Sequence, residues 1–148
     1  MDMPQISLAV DIGASSGRHI LGHLENGRMV LEEVYRFDNI QQRKNGHDCW
    51  DVEALWDHIL AGLCACRAAG KIPATMGIDT WAVDFVLLDA GGNLASDAVA
   101  YRDARTEGVR DRLEAEGVLS FADHYARAGI QYQPFNTAYQ LAALKDEH

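Results

Sequence analysis

The chain has 148 residues, 48% of them apolar and 24% charged, a composition typical of a soluble globular protein long enough to bury a real core. Its formal net charge of −9 excludes the basic-patch mode of nucleic-acid binding. No apolar run approaches the length of a membrane span, and Met1-Asp2-Met3-Pro4-Gln5 lacks the basic segment and apolar core of a signal peptide, so no membrane partner and a cytoplasmic location are expected.

Ile6–Asp11 reads as a short apolar strand buried on both faces. After the small residues that follow it, His19–Leu24 reads as a second strand. Glu25-Asn26-Gly27-Arg28 is an Asn-Gly hairpin turn, and Met29–Phe37 returns as a third strand. Asp38–Gly46 is polar, without period, and is expected to be a loop. Asp48 or Asp51 is placed to cap a helix. In that helix Val52, Leu55, Trp56, Ile59, Leu60 and Leu63 recur on one apolar face, and Gly70 is placed to stop it in the left-handed conformation, with Pro73 beyond. Thr75–Asp79 is a further strand, Val83–Leu88 another, and Asp89-Ala90-Gly91-Gly92-Asn93 a turn. The remainder is helical, with Thr106 capping a helix through Leu113, Ser120–Ala128 a second, and Asn136 capping a third whose Tyr139, Leu141 and Leu144 are expected to pack inward. Three antiparallel strands, a crossover helix and a parallel strand, with trailing helices, make an α/β fold of the ribonuclease-H-like plan.

The first chemically loaded segment is Asp11-Ile12-Gly13-Ala14-Ser15-Ser16-Gly17-Arg18. It lacks the Gly-Lys-Ser/Thr ending of a P-loop, and its glycines do not open a helix as those of a dinucleotide loop do. Small residues at the tip of a strand–turn–strand unit can turn backbone N–H groups and two hydroxyls toward a phosphate chain. An aspartate at the base can hold hydrated Mg²⁺ against it, since Mg²⁺ keeps most of its waters. The pattern is similar to the phosphate loop of actin, hexokinase and sugar kinases. A plain hairpin whose glycines serve only turn geometry accounts for the same residues.

The second is Gly77–Asp89, in which Trp81, Phe85 and Asp84 combine ring faces with a carboxylate, the mixture a sugar site uses. Core packing of the rings with Asp84 in a turn is the alternative. Tyr101-Arg102-Asp103-Ala104-Arg105 offers guanidinium forks to hydroxyls or phosphates, or forms a surface ion cluster. Gly129–Thr137 is a loop with an aromatic and an amide, in which Asn136 serves a ligand or simply a helix cap. Cys49, Cys64 and Cys66, an odd number without an export signal, point to free thiols, and their spacing is not that of a zinc site.

Taken in this order, Asp11–Arg18, Trp50-Asp51-Val52, Gly77–Asp89 (with Ile-Asp-Thr-Trp-Ala-Val-Asp-Phe), Tyr101–Arg105 and Gly129–Thr137 resemble the rhamnulokinases, a branch of the carbohydrate kinases that also include xylulokinases, gluconokinases and glycerol kinases. The resemblance implies an actin-like ATPase domain and transfer of the ATP γ-phosphate to L-rhamnulose, giving L-rhamnulose 1-phosphate, with Mg-ATP as cofactor. Carried over, Ala14, Ser15, Ser16, Gly17 and Arg18 bind the ATP phosphates, Asp11 holds Mg²⁺ through water, and Trp81, Ala82 and Asp84 line the sugar pocket, with Arg102 and Asn136 as further substrate candidates.

Ala82 stands where the branch carries glycine. If that position needs a positive φ, alanine is strained there; if φ is negative, it is not. Family members are considerably longer. Residues 1–148 are therefore expected to be the amino-terminal domain of a sugar kinase whose carboxy-terminal domain, with the general base, is absent, and no aspartate here is assigned as base. The isolated chain is expected to be inactive, because phosphoryl transfer needs both walls of the cleft. A kinase for another ketose or polyol, an actin-like nucleotide sensor, and a non-catalytic module that self-associates through the surface a missing half leaves open are the competing readings.

Overall fold

The computed structural model describes residues 5–147. Along the chain run β1 (Ser7–Ile12), β2 (Ser16–Glu25), β3 (Arg28–Asp38), β4 (Gln42–Lys44), β5 (His47–Trp50), α1 (Val52–Ala68), β6 (Thr75–Thr80), β7 (Ala98–Val99), α2 (Val109–Ala115), α3 (Phe121–Ala128) and α4 (Thr137–Asp146). They form two compact units, one comprising the residues through Gln41 together with Asp51–Ala82, the other Gln42–Trp50 and the residues from Val83 onward.

The first unit is a four-stranded sheet in the order β3-β2-β1-β6, antiparallel except for the parallel β1–β6 pair that α1 connects. This is the ribonuclease-H-like order expected from the sequence. Leu8, Val10 and Ile12 of β1 are buried with Leu21, Phe37, Ile59 and Cys66. The expected two-sided burial of β1 does not hold: Ser7 and Ala9 are exposed. The chain covers one face of the sheet with α1 and leaves apolar residues of the other open, among them Leu24, Met29 and Leu31.

Asp51, not Asp48, caps α1, accepting from the Ala54 N–H at 3.0 Å. The helix ends as expected at Gly70, φ 69°, where the Lys71 N–H reaches back to the Cys66 carbonyl at 3.0 Å, a Schellman closure. Its inner face is narrower than the apolar pattern suggests. Ile59, Gly62 and Cys66 are buried, Leu55 and Leu63 pack at the margin, and Trp56 and Leu60 are exposed. Gly62 lets the helix sit close, since a Cβ there would overlap the His19 ring.

The second unit has the small sheet β4-β5-β7 and the three later helices. The expected 38–46 loop instead contains β4 and the turn of a β4–β5 hairpin, with Asn45 and Gly46 at φ 48° and 89°. Val83–Leu88 is not a strand; its one ladder contact is a bridge between Leu88 and Leu94, closed by Asp89, whose Oδ1 accepts from the N–H groups of Gly91 and Asn93. Thr106 does not cap a helix. It ends a 3-10 turn that Asp103 caps, and α2 starts only after Gly108, at φ 74°. The expected helix at Ser120–Ala128 is present as α3, with Ser120 as its cap, accepting from the Asp123 N–H. Val109, Leu113, Tyr139 and Ala143 form this unit's core, whereas Leu141 is exposed rather than inward.

Among the described residues no helix is long and apolar enough to cross a membrane. Cys49 and Cys66 are buried, Cys64 is exposed, and all three are free.

Candidate active site

The turn between β1 and β2 is shorter than the sequence suggests, because β2 resumes at Ser16 and leaves Gly13, Ala14 and Ser15 as its tip. The Gly13 N–H donates to the Ser16 carbonyl at 2.9 Å, and a Cβ at Gly13 would stand 3.0 Å from that same oxygen. Below the tip lies Asn39, at the end of β3 and nearly buried. Its backbone N–H donates to the Ser15 carbonyl and its Nδ2 to the Gly13 carbonyl, each at 3.0 Å. With these carbonyls held from beneath, the N–H groups of Ala14 and Ser15 carry no hydrogen bond among the described residues. Such a run of N–H donors is what a phosphate oxygen needs.

Asp11 and Arg18 flank the turn as cross-strand partners. The Arg18 Nε and Nη2 atoms lie 2.9 Å from Asp11 Oδ2, with the side chains 46% and 43% exposed. An exposed carboxylate beside a donor-bearing turn suits a hydrated Mg²⁺, and an exposed guanidinium suits phosphate. Gly17 is buried, and a Cβ there would collide with the Phe37 ring opposite it. It therefore shapes the loop from below, through packing.

Of the second constellation, Trp81 and Ala82 belong to the first unit, and Val83 and Asp84 to the second. Trp81 packs at the edge of the first unit's core and Ala82 is exposed. Ala82 is not among the residues with positive φ, so alanine is accommodated without left-handed strain. The strain sits one residue on, at Val83, with φ 73°, a conformation that costs a β-branched residue about 1–3 kcal/mol. The Val83 carbonyl accepts from Gln140 Nε2 at 3.1 Å and from Thr137 Oγ1 at 3.3 Å. Asp84 is half-buried, and its Oδ2 accepts from the Trp50 indole N–H at 2.5 Å.

The second unit also gathers the two weaker candidates. Tyr101 stands edge-on to Phe135 at 5.3 Å, and the exposed Arg102 lies over the Tyr101 ring at 5.2 Å. Asn136 occupies the cap position of α4 but does not cap it through its side chain. Its Nδ2 donates instead to the Gln131 carbonyl, and the residue is 8% exposed. Asn136 thus organises the loop before α4. Asp103, between the two arginines, is structural: its carboxylate accepts from His47 Nδ1 and from the N–H groups of Asp48 and Arg105. Burial pushes its pKa up, but those hydrogen bonds outweigh it and hold the group below the usual carboxylate range.

Sequence reasoning missed Asn39, Trp50 as a partner of Asp84, and Gln140. An asparagine closing a strand was the one available signal for Asn39. Trp50 reads in the sequence only as part of the Trp50-Asp51-Val52 motif. Gln140 reads as an ordinary helix residue until the Val83 backbone is known. The described residues contain no cluster of three or more acidic, histidine or cysteine side chains suited to a metal.

Comparison with known proteins identifies the family. Residues 6–148 match the family model described as the FGGY family of carbohydrate kinases, N-terminal domain. The chain is 49% identical over 146 residues to a rhamnulokinase of Oceanobacillus iheyensis, covering 99% of this chain and 31% of that protein. To a rhamnulokinase of Halalkalibacterium halodurans it is 54% identical over 142 residues, covering 96% and 30%. Among solved structures, a gluconate kinase from Lactobacillus acidophilus superposes with a TM-score of 0.80 over 98% of this chain and 29% of that one, at 16% identity. That likeness speaks for the fold. The chain spans about 30% of the length of the curated relatives it matches.

Proposed function

We propose, from the premise that this chain belongs to the FGGY family of carbohydrate kinases through its N-terminal domain, that it forms one wall of the active site of an ATP-dependent L-rhamnulose kinase. The observation that carries the sugar assignment is the identity of about half to rhamnulokinases across nearly the whole chain. Another ketose or polyol of the same family is the nearest alternative substrate.

In this reading the N–H groups of Ala14 and Ser15, the Ser15 and Ser16 hydroxyls and the Arg18 guanidinium bind the ATP phosphates, and Gly17 gives the turn its close packing. Mg²⁺, when bound, neutralises phosphate charge, and Asp11 holds it through water. Binding requires Arg18 to exchange Asp11 for a phosphate oxygen, which the exposure of both side chains permits. On the sugar side Trp81 offers a ring face, Ala82 a backbone contact, and Asp84 a carboxylate fixed by Trp50. Arg102 and Asn136 stand at the margin, one exposed and one inside its loop. Chemistry needs an in-line alignment that one wall cannot impose, so the chain alone is inactive.

Calorimetric titration of the chain with L-rhamnulose and with Mg-ATP, separately, tests the reading. Saturable sugar binding without turnover supports it, and binding of neither ligand overturns it. A second reading, self-association through the open sheet face, is favoured by the exposure of Leu24, Met29 and Leu31, each about two-thirds exposed. A mass that rises with concentration would support it.

A further inference from the structure

Val83 is one of three non-glycine residues with positive φ among those described; the other two, Asn26 and Asn45, precede glycines in hairpin turns. Asparagine tolerates that conformation through its short polar side chain. Valine has no such device, so a left-handed valine persists only where its surroundings over-determine it.

The surroundings supply one dominant hold. Gln140, on the inner face of α4, is 1% exposed. Its Nε2 lies 3.1 Å from the Val83 carbonyl and 2.9 Å from the Phe135 carbonyl. Both partners are acceptors, so the amide nitrogen faces them and both its hydrogens are used. Thr137, one turn earlier, adds its hydroxyl to the Val83 carbonyl. The next residue, Asp84, is held through its carboxylate by Trp50. The turn is therefore pinned at two consecutive residues, by α4 through a backbone carbonyl and by β5 through a side chain.

We infer that Gln140 is a positioning residue for the sugar-facing turn: by clamping the Val83 carbonyl it keeps Val83 left-handed and so sets where Asp84 is presented. The inference rests on the proposed sugar-kinase reading for its functional consequence, but its structural part does not. Gln140 touches no substrate. A merely structural glutamine would support α4 without being coupled to the conformation of residue 83.

The test uses that coupling. Gln140→Met keeps side-chain length and apolar packing while removing both donors. Val83→Gly supplies a residue that adopts φ near 73° unaided. In the ¹⁵N-labelled chain, the Trp50 indole N–H resonance, assigned by its loss in Trp50→Phe, reports the bond to Asp84. Gln140→Met is expected to move that resonance, and the double variant Gln140→Met, Val83→Gly to return it. L-rhamnulose affinity is expected to follow, falling about tenfold and then recovering.

An unmoved resonance in Gln140→Met overturns the inference, as does a moved one that Val83→Gly fails to restore. If Gln140→Met does not fold, a folded double variant supports the coupling and an unfolded one overturns it. If the resonances behave as expected while the unsubstituted chain binds no L-rhamnulose, the clamp stands and the sugar reading fails.

Discussion

Asp11 and Arg18 are register partners across β1 and β2, and the Arg18 Nε and Nη2 atoms both lie 2.9 Å from Asp11 Oδ2. Both side chains are more than 40% exposed, so the pair contributes only about 0–1 kcal/mol to stability. Its importance is positional. The two groups to which the proposed reading gives Mg²⁺ and phosphate are held against one another, at the foot of a turn whose tip presents backbone donors.

Separating the two roles gives the first prediction. Asp11→Asn is expected to leave the unfolding midpoint almost unchanged while removing the Mg²⁺-dependent part of ATP binding. Arg18→Ala is expected to weaken ATP binding about tenfold with or without Mg²⁺, the scale of one charge-assisted contact. Calorimetry with and without Mg²⁺ checks both.

Gly17→Ala is expected to destabilise the chain by about 1–3 kcal/mol, because the new Cβ meets the Phe37 ring in a packed core. Asn39→Ala acts on the same loop through its side-chain bond to the Gly13 carbonyl and is expected to cost about 1–2 kcal/mol. Urea unfolding measures both, and ATP binding should weaken in each.

The third prediction concerns acid. His19 is fully buried. Burial pushes its imidazole below its ordinary pKa, offset in part by the Ile59 backbone and reinforced by His58. A group depressed in this way binds fewer protons folded than unfolded. Its contribution is therefore complete above the unfolded value of about 6.5 and is lost as pH falls below it toward the folded value. The unfolding midpoint should decline from pH 6.5 downward, and His19→Phe should flatten that decline.

Asp103 adds a second, lower window. Despite the opposing effect of burial, its hydrogen bonds with His47, Asp48 and Arg105 depress its pKa. Its stabilisation is present above the unfolded carboxylate value of about 3.9 and is lost as pH falls below that. Asp103→Asn should remove this window and leave the one near neutrality, as acid unfolding curves would record.

The first unit was legible because its signals are local. Apolar runs bounded by Asn26-Gly27 and Gly70 mark β1, β2, β3, α1 and β6, and Asp11 lies one residue before the end of β1, at the base of the turn. The β4–β5 hairpin was not legible. Its Asn45-Gly46 turn is flanked by Gln42, Arg43, Lys44, His47 and Asp48, which show no apolar alternation. Val83–Leu88 failed for the opposite reason: an apolar run broken only by Asp84 reads as a strand, yet Val86, Leu87 and Leu88 are exposed. The hold on Val83 was also out of reach, since it depends on a φ angle that no residue pattern encodes and on a glutamine 57 positions away. In the candidate site, residue identities could be read but not their division of labour. Gly17 lies against the Phe37 ring and Asn136 donates to the Gln131 carbonyl, contacts that the residue pattern does not show.

The most direct test of the central claim places the chain within a full-length relative. Residues 6–148 of this chain, grafted in place of the matching segment of a full-length rhamnulokinase relative, should give an enzyme that forms L-rhamnulose 1-phosphate from ATP and L-rhamnulose and loses that activity on Asp11→Asn. A folded, monodisperse graft that phosphorylates no L-rhamnulose, or one whose activity survives Asp11→Asn, would contradict the account.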